Sequence, residues 1–211
     1  MPDKAGNQLT SFRLYESLPE NRISRRSAQG VIRFPTLALD RKKWRKSIPL
    51  NDEQPAKVCA RLIEDMRSLQ LSTVGMDGIP HSGYTPYLHR APGSFYIFVS
   101  QLAAHTRHLL TNGTVAIMII ADEQSTSQIF ARRRVNYLCE AKRIAPDSSD
   151  YASVLDDYQQ RHGKMAGLLR QLPDFILFQL QPKSGQFVMG FGKAYTLTGN
   201  DLSVFEHTPT G

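Results

Sequence analysis

Apolar residues recur at helical spacing in the segment that follows residue 50. The positions at this spacing are Val58, Leu62, Met66 and Leu69. Pro55 falls in the first turn, and Asn51 or Asp52 is available as an N-cap. The pattern predicts one amphipathic helix from Asn51 to about Leu69.

Strand patterns follow this helix. Residues 71–74, a turn at Asp77-Gly78 and an extended segment over 80–90 predict a β-hairpin. Residues 91–93, Ala-Pro-Gly, then turn the chain into another strand over 95–100.

The strand over 95–100 runs directly into a short helical pattern over 101–112. Ser100 is a suitable N-cap, and Asn112-Gly113 is a suitable stop. On a helical projection the packed face holds Leu102, Thr106, Leu109 and Leu110. Residues 114–121 come next and are apolar at successive positions, which predicts a central strand buried on both faces.

Period-two alternation is clearest over 135–144. The inward positions are Val135, Tyr137, Cys139 and Ala141, and the outward ones are Arg132, Arg134, Asn136 and Glu140. A helical stretch over 149–172 with a break at Gly163 follows, then strands over 175–180 and 186–197. In the latter, Gly190-Phe191-Gly192 reads as a bulge within a strand.

This order of elements contains no repeated βαβ unit. Strands linked by hairpins, with few helices, favour a small antiparallel barrel over a doubly wound sheet. We expect a mainly β domain with flanking helices over residues 51–200 and a C-terminal tail over 201–211.

Charge separates the first 50 residues from the rest. They hold 11 Lys and Arg against 4 Asp and Glu, so they account for the whole net charge of +7. We interpret residues 1–50 as a basic arm, extended or partly disordered. Two readings stay open for it: a contact with nucleic acid or an anionic membrane, and a solvated or partner-covering extension.

Cys59 and Cys139 form neither a CxxC motif nor a zinc-finger spacing, so no disulfide framework or structural metal site is indicated. We expect both to be buried and inert. The start of the chain has no apolar signal region, and no apolar run approaches the length of a membrane span. The expected location is the cytoplasm.

Candidate chemistry centres on the junction between the strand over 95–100 and the helix after it. Free backbone N–H groups and the helix dipole at such a junction favour an anion. His105, Arg107 and His108 add imidazole and guanidinium groups within two turns. His105 is either a functional residue or a histidine at the edge of the core, and we expect His108 to lie at the surface. His81, His89 and His162 receive no role.

Arg132 and Arg134 form a second candidate anion site. On one outward strand face they could hold a phosphate or carboxylate by forked hydrogen bonds, or they could be a solvated strand end.

A family resemblance joins these segments. The chain over about 55–207 resembles the haem-utilisation, haem-degrading branch of the pyridoxamine-phosphate-oxidase-like, FMN-binding split-barrel superfamily. The motifs that carry it are Leu71-Ser72-Thr73-Val74, Gly78-Ile79-Pro80, Tyr84-Thr85-Pro86-Tyr87, Val99-Ser100, His105-Thr106-Arg107, residues 129–134 (Ile-Phe-Ala-Arg-Arg-Arg), Leu172-Pro173-Asp174-Phe175 and residues 187–195 (Phe-Val-Met-Gly-Phe-Gly-Lys-Ala-Tyr).

The resemblance implies a six- to seven-stranded antiparallel split β-barrel that forms a homodimer, with the cofactor at the subunit interface. The cofactor is haem, with FMN as the alternative. The cofactor-binding residues it implies are Ser100, His105, Thr106, Arg107, Arg132, Arg134 and Asp174. Among these, Asp174 matches an acidic residue that supports the iron-ligating histidine.

Two positions depart from the family pattern. The iron-ligating histidine of the relatives aligns just past Gly211, so His207 is either the ligand in a shifted register or a solvent-facing residue. Relatives tend to carry Ser at the position of Gly83; either binding has changed there, or a neighbour such as Ser82 supplies the hydroxyl.

Three functions follow from the resemblance. The first is a haem-binding protein of haem iron utilisation that degrades haem with oxygen and an electron donor. The second is an FMN-dependent oxidoreductase related to pyridoxamine phosphate oxidase. The third is a haem-binding or regulatory protein without turnover.

Overall fold

The computed structural model describes residues 54–208, and the bounds of its elements are as follows. They are α1 (Pro55–Asp65), β1 (Ser68–Val74), β2 (Pro80–Pro86), β3 (Leu88–Arg90), β4 (Ser94–Ser100), α2 (Ala104–Thr111), β5 (Thr114–Ile120), a 3-10 helix (Ile129–Ala131), β6 (Arg134–Ile144), α3 (Tyr151–His162), α4 (Lys164–Leu169), β7 (Phe175–Gly190), β8 (Lys193–Thr198) and β9 (Val204–His207). The basic arm predicted for residues 1–50, with the contacts considered for it, lies outside the described residues, as do the capping candidates Asn51 and Asp52.

All nine strands form one sheet, and every pair is antiparallel. The order is β2-β1-β5-β6-β7-β4-β3, with β8 on β7 and β9 on β8. Within residues 54–208 the end strands β2 and β3 do not pair with each other, so the sheet does not close. This architecture confirms the predicted mainly β, antiparallel split barrel with flanking helices.

The strand count exceeds the predicted six to seven. The extended segment over 80–90 is divided at Tyr87 into β2 and β3, and the predicted tail contains β9. The strands predicted at 175–180 and 186–197 are arranged differently, because β7 continues to Gly190 and a turn at Phe191-Gly192 starts β8. Gly192 adopts φ +68°, a conformation that favours glycine, and forms a turn with Phe191. The expected irregularity is present just before this turn, where the pairing of β7 with β8 shifts register between Val188 and Gly190.

Helix α1 is shorter than its apolar spacing predicted. It ends at Asp65, Met66 is extended, and Leu69 belongs to β1 with 0% of its surface exposed. The end of the helix was predicted too late because Leu69 fits the helical period and the strand alternation equally well. The break predicted at Gly163 is confirmed, since Gly163 has φ +79° and separates α3 from α4.

Two apolar clusters hold the fold together. The larger one is enclosed by the inner face of the sheet and by α1, and Ile97, Ile119, Val135 and Phe187 have no exposed surface there. The smaller one lies where α3 and α4 cover β4 and β7. It is built from Leu88, Phe98, Val154, Leu155, Tyr158, Ala166 and Leu177.

The prediction that residues 114–121 are buried on both faces is wrong. Val115, Ile117 and Ile119 are buried, whereas Thr114 and Ala116 are exposed. β5 is also not the middle strand, because β6 occupies that place in the strand order. Only the inner face of this part of the sheet is fully buried within one chain, since the outward Met118 and Ile120 are half-buried.

Arg161 joins α3 to the link between α1 and β1. Its Nη2 donates to the backbone oxygens of Glu64 (2.9 Å) and Met66 (2.8 Å), and its Nη1 lies 3.3 Å from Oε1 of Glu64. The guanidinium lies 5.6 Å from the centre of the Tyr87 ring. One side chain therefore satisfies carbonyl groups at the end of α1 that have no further turn of helix to bind.

We predict that Arg161→Ala lowers the free energy of unfolding by roughly 2–4 kcal/mol, because two carbonyls lose a charged donor and the aromatic contact is lost. Arg170→Ala is the matched control, since Arg170 pairs with exposed Asp156 and the expected loss is about 1 kcal/mol or less. Urea denaturation measures both. Equal losses in the two variants would contradict the role given to Arg161.

Candidate functional site

The end of β4 and the start of β7 meet at Ser100 and Asp174. Ser100 Oγ donates to Asp174 Oδ2 (2.5 Å), and the backbone N–H of Gln101 donates to the Asp174 carbonyl (2.8 Å). Leu102 N–H in turn donates to Ser100 Oγ (3.1 Å). The carboxylate of Asp174 is thus fixed beside the junction that leads to α2, although 74 positions separate it from Ser100.

Helix α2 begins later than predicted. Its first residue is Ala104 and its N-cap is Ala103, so Ser100 does not cap it. The Ser100 side chain is engaged with Asp174 instead, and Asn112 still follows the last helical residue.

The packed face of α2 is also narrower than predicted. Thr106 and Leu109 are buried at 0% and 4% exposure, but Leu102 is 83% exposed because it precedes the helix, and Leu110 is 45% exposed. Arg107 is exposed and donates from Nη1 to the Leu102 carbonyl (2.9 Å).

Three imidazoles gather between α2 and the β1–β2 hairpin; we call His81, His105 and His108 the histidine cluster. The ring centres of His81 and His105 are 6.4 Å apart, and those of His81 and His108 are 5.7 Å apart. A hydrogen bond of 2.9 Å joins His108 Nδ1 to Thr73 Oγ1. His108 is half-buried, so its expected surface position is wrong.

Sequence reasoning also missed His81, although a signal for it existed. The hairpin turn at Asp77-Gly78 pairs Thr73 with His81, and alternation along β2 then directs His81, Gly83 and Thr85 to the same face as buried Leu71. Ser82 lies on the opposite, exposed face, so it does not stand in for a hydroxyl at position 83.

Arg132 and Arg134 do not form the predicted pair on one strand face. Arg132 precedes β6 and donates from Nε to the Ala121 carbonyl (2.7 Å), with its Nη1 3.2 Å from Glu123 Oε2. Arg134 is the first residue of β6 and donates from Nη1 to the Arg132 carbonyl (3.0 Å). The alternation of β6 was predicted correctly from Val135 onward and fails only before the strand begins.

His105 and Arg134 lie on opposite faces of the sheet. His105 rests on the inward side of the hairpin against Gly83 and Leu71, while Arg134 precedes the inward Val135 and pairs with the outward Ile120. Within one chain these two basic residues therefore do not converge.

His207 occupies a third place. It is exposed on β9, with Nε2 3.2 Å from the Gly192 carbonyl and its ring 5.5 Å from that of Tyr195. The described residues thus bring Ser100 and Asp174 together, put His105, Thr106 and Arg107 on the adjoining helix, and leave Arg132, Arg134 and His207 elsewhere.

The two cysteines behave as expected. Cys59 and Cys139 are buried, and burial raises the pKa of each thiol to about 12. Among residues 54–208, no group of three or more His, Cys, Asp and Glu side chains has the geometry to hold a metal ion. No helix in the same range is long and apolar enough to cross a membrane.

Residues 56–189 match the pyridoxamine 5'-phosphate oxidase family. The chain belongs to this family. The matched segment contains the β4–α2 junction, the histidine cluster, Arg134 and Asp174, whereas β8 and β9 lie beyond it.

Similar proteins place the chain within the family. The heme oxygenase HutZ of Vibrio cholerae is 38% identical over 148 residues, which cover 70% of this chain and 84% of HutZ. The chloroplastic non-canonical heme oxygenase HOZ of Arabidopsis thaliana is 24% identical over 163 residues, covering 73% of this chain and 48% of HOZ. The crystal structure of HutZ, there named a heme storage protein, aligns with a TM-score of 0.59 at 33% identity, covering 62% of this chain and 92% of that one. The resemblance to the haem-utilisation branch is thereby confirmed.

Three histidines of this oxidase-family domain, His89, His105 and His162, are half-buried. Burial is the main reason that the pKa values of His89, His105 and His162 are lowered from the ordinary 6.5. For His105 the neighbouring His81 and His108 act in the same direction. In the unfolded chain these side chains take up protons at a higher pH than in the folded protein.

We predict that the free energy of unfolding falls as the pH is lowered through the ordinary histidine value of about 6.5, and continues to fall until the folded pKa values are passed. Denaturation in urea at successive pH values from about 7.5 to 5.5 measures this. The triple variant His89→Gln, His105→Gln, His162→Gln should have a flatter profile, and His207→Gln, which changes an exposed residue, should keep the wild-type slope. Stability that rises on acidification over this range would be inconsistent with burial of neutral imidazoles.

Proposed function

We propose that this chain is a haem-binding protein of haem iron utilisation whose cofactor lies at the interface of a homodimer. The relation to HutZ supports haem as the ligand, because it extends over most of both chains. The observation that carries the proposal is the donor set within the matched segment: a fixed carboxylate at Asp174, imidazoles at α2 and a guanidinium at Arg134.

The residues present fit the chemistry of haem. Haem has an apolar ring and two propionates, so its site needs apolar surface beside a cation. Arg134 provides the cation on the outer face of the sheet, where its strand neighbours Ile120 and Val188 are half-buried and apolar. Exposed Phe130 and Ile129 precede it on the 3-10 helix. We propose that Arg134 pairs with a propionate.

We infer that a second copy of the chain covers this outer face of the sheet. The outward side chains of β1, β2, β5 and β6 form a surface that we call the outer sheet face. Its apolar members are Val74, Tyr84, Ala116, Met118, Ile120 and Leu138. Tyr84 is 64% exposed and Leu138 47% exposed in the single chain, and contiguous exposed apolar side chains mark interaction surfaces. A partner subunit on this face would cover these side chains and bring its own residues to Arg134.

The remaining site residues take roles around the cofactor. Ser100 and the Gln101 N–H hold Asp174 in place, so that its carboxylate can orient a ligating imidazole. His105 and Arg107 supply hydrogen-bonding groups from α2, whereas Thr106, also expected there, is fully buried inside the chain. His207 is proposed as the iron ligand, since its exposed imidazole is positioned by the Gly192 carbonyl and the Tyr195 ring. Bound haem supplies oxygen activation when a reductant is available.

FMN is the alternative cofactor, and the match to the pyridoxamine 5'-phosphate oxidase family supports it. A flavin phosphate would use Arg134 in the same way that a propionate does, because both are anions that accept forked hydrogen bonds. The function would then be that of a flavin-dependent oxidoreductase.

We predict that haemin added to the purified protein gives a saturable Soret band, whereas FMN under the same conditions gives no tight complex. The His207→Ala variant should shift the Soret maximum, because the iron loses an imidazole ligand. Glu206→Ala is the control, since it changes an exposed residue on the same strand. A tight flavin spectrum without a Soret band would replace the haem proposal by the flavin one.

The haemin complex also allows a haem-degrading protein to be distinguished from a haem storage protein. Ascorbate and oxygen added to a haem-degrading protein bleach the Soret band and release iron, while a storage protein keeps the band. HutZ is named both a heme oxygenase and a heme storage protein, so both outcomes have a precedent among similar proteins.

We predict that Leu138→Glu converts the dimer to a monomer and weakens haem binding at least tenfold, because a charge on the outer sheet face is buried without a partner. Leu168→Glu is the matched control: Leu168 is 58% exposed on α4, away from that face. Light scattering after gel filtration measures the mass, and the haemin titration measures binding. A monomeric wild type, or a dimer unaffected by Leu138→Glu, would exclude the proposed interface.

A further inference from the structure

Gly83 has no conformational reason to be glycine. It lies within β2, opposite Leu71, and its φ is not positive. Glycine weakens a strand, because it adds backbone entropy to the unfolded chain and offers no side chain to pack. Its presence therefore calls for a steric reason.

That reason is the ring of His105. A Cβ atom on residue 83 would lie 2.9 Å from His105 Nδ1 and 3.2 Å from Leu71 Cδ2. Carbon atoms do not approach a ring nitrogen that closely, so the imidazole occupies space that any other residue at position 83 would fill. The imidazole of His105 lies directly on the backbone of β2.

His81 is the next residue on the same face of β2. Its ring centre is 6.4 Å from that of His105, and its Nδ1 is buried without a hydrogen-bond partner in the described part of the chain. Buried polar atoms without a partner are uncommon in folded proteins. His81 therefore brings to the histidine cluster a ring nitrogen that makes no hydrogen bond among the described residues.

We propose that Gly83 and His81 are positioning residues for His105: Gly83 leaves the space in which its ring lies on β2, and His81 borders that ring on the same strand face. The inference rests on the proposed function in taking His105 as a cofactor residue. Arg134 would then pair with the anionic group of the cofactor, and His105 would contribute a hydrogen bond.

The groups that surround His105 are consistent with a hydrogen-bonding role rather than an anion-pairing one. From α2 it is faced by His108, from β2 by His81 and from β1 by Leu71. Arg107 follows His105 by two residues on α2 and is exposed. The carboxylate of Asp77 lies near His108, because a Cβ on Gly75 would be 2.6 Å from Asp77 Oδ1 and 3.2 Å from His108 Nε2. Burial, and then the two neighbouring imidazoles, lower the pKa of His105.

The test is a pH titration of the histidine ring signals by NMR, on the full chain without cofactor. In Gly83→Ala the His105 ring is displaced from β2 and its titration midpoint rises. Gly190→Ala is the matched control, since a Cβ at that strand position meets no atom within 4 Å, and it should leave His105 unchanged. A midpoint that stays at the wild-type value in a folded Gly83→Ala protein would overturn the proposal.

His81→Gln provides a second variant that keeps the glycine and does not crowd the strand. It should also raise the His105 midpoint, because one imidazole that opposes protonation is removed. An unchanged midpoint in this variant would overturn the role of His81. Neither readout uses haem, so a failed haemin titration with the expected midpoints would reject the proposed function while leaving the positioning of His105 in place.

Discussion

The burial of the inner face of the sheet is the constraint on which the rest of the structure depends. Ile119, Val135 and Phe187 lie in one row across three strands, and none has exposed surface. Because strand side chains alternate, this row fixes the direction of the next one, which contains Ile120 and Arg134. A shift of one residue in β6 would put a guanidinium in the core, so the register that protects the core also places Arg134 outside.

The same constraint explains why the candidate cofactor residues are distributed over two faces. The inward side of the β1–β2 hairpin is covered by α2, which carries His105, and the outward side of β6 carries Arg134. A flat ligand of the size of haem cannot pass through a hydrogen-bonded sheet to reach both. In the proposed dimer, one subunit would present its outer sheet face to its partner, so that residues from different faces of two chains would border a single cleft. The apolar, exposed side chains of that face favour the same arrangement.

Local patterns predicted the fold better than the site. The turn at Asp77-Gly78, the break at Gly163 and the alternation from Val135 onward depend on neighbouring residues, and each could be read from the sequence. The positions of Leu69 and Ser100 could not, because the first fits two periods and the second is decided by a hydrogen bond to Asp174, 74 positions away. In the same way, the histidine cluster depends on strand register and on a helix that packs on the hairpin. The strand β9 likewise depends on its pairing with the edge of β8.

The two basic elements of the site respond differently to acid. A guanidinium keeps its charge throughout the physiological range, so an anion held by Arg134 stays held as the pH falls. The imidazole of His105 gains its proton against burial and against two neighbouring imidazoles, and once protonated it can only donate hydrogen bonds. A cofactor attached at both places would therefore keep its anionic anchor on acidification while losing any bond in which His105 is the acceptor. The contact made by His105 also depends on the space at Gly83, because a side chain at position 83 would displace the imidazole from the strand at any pH.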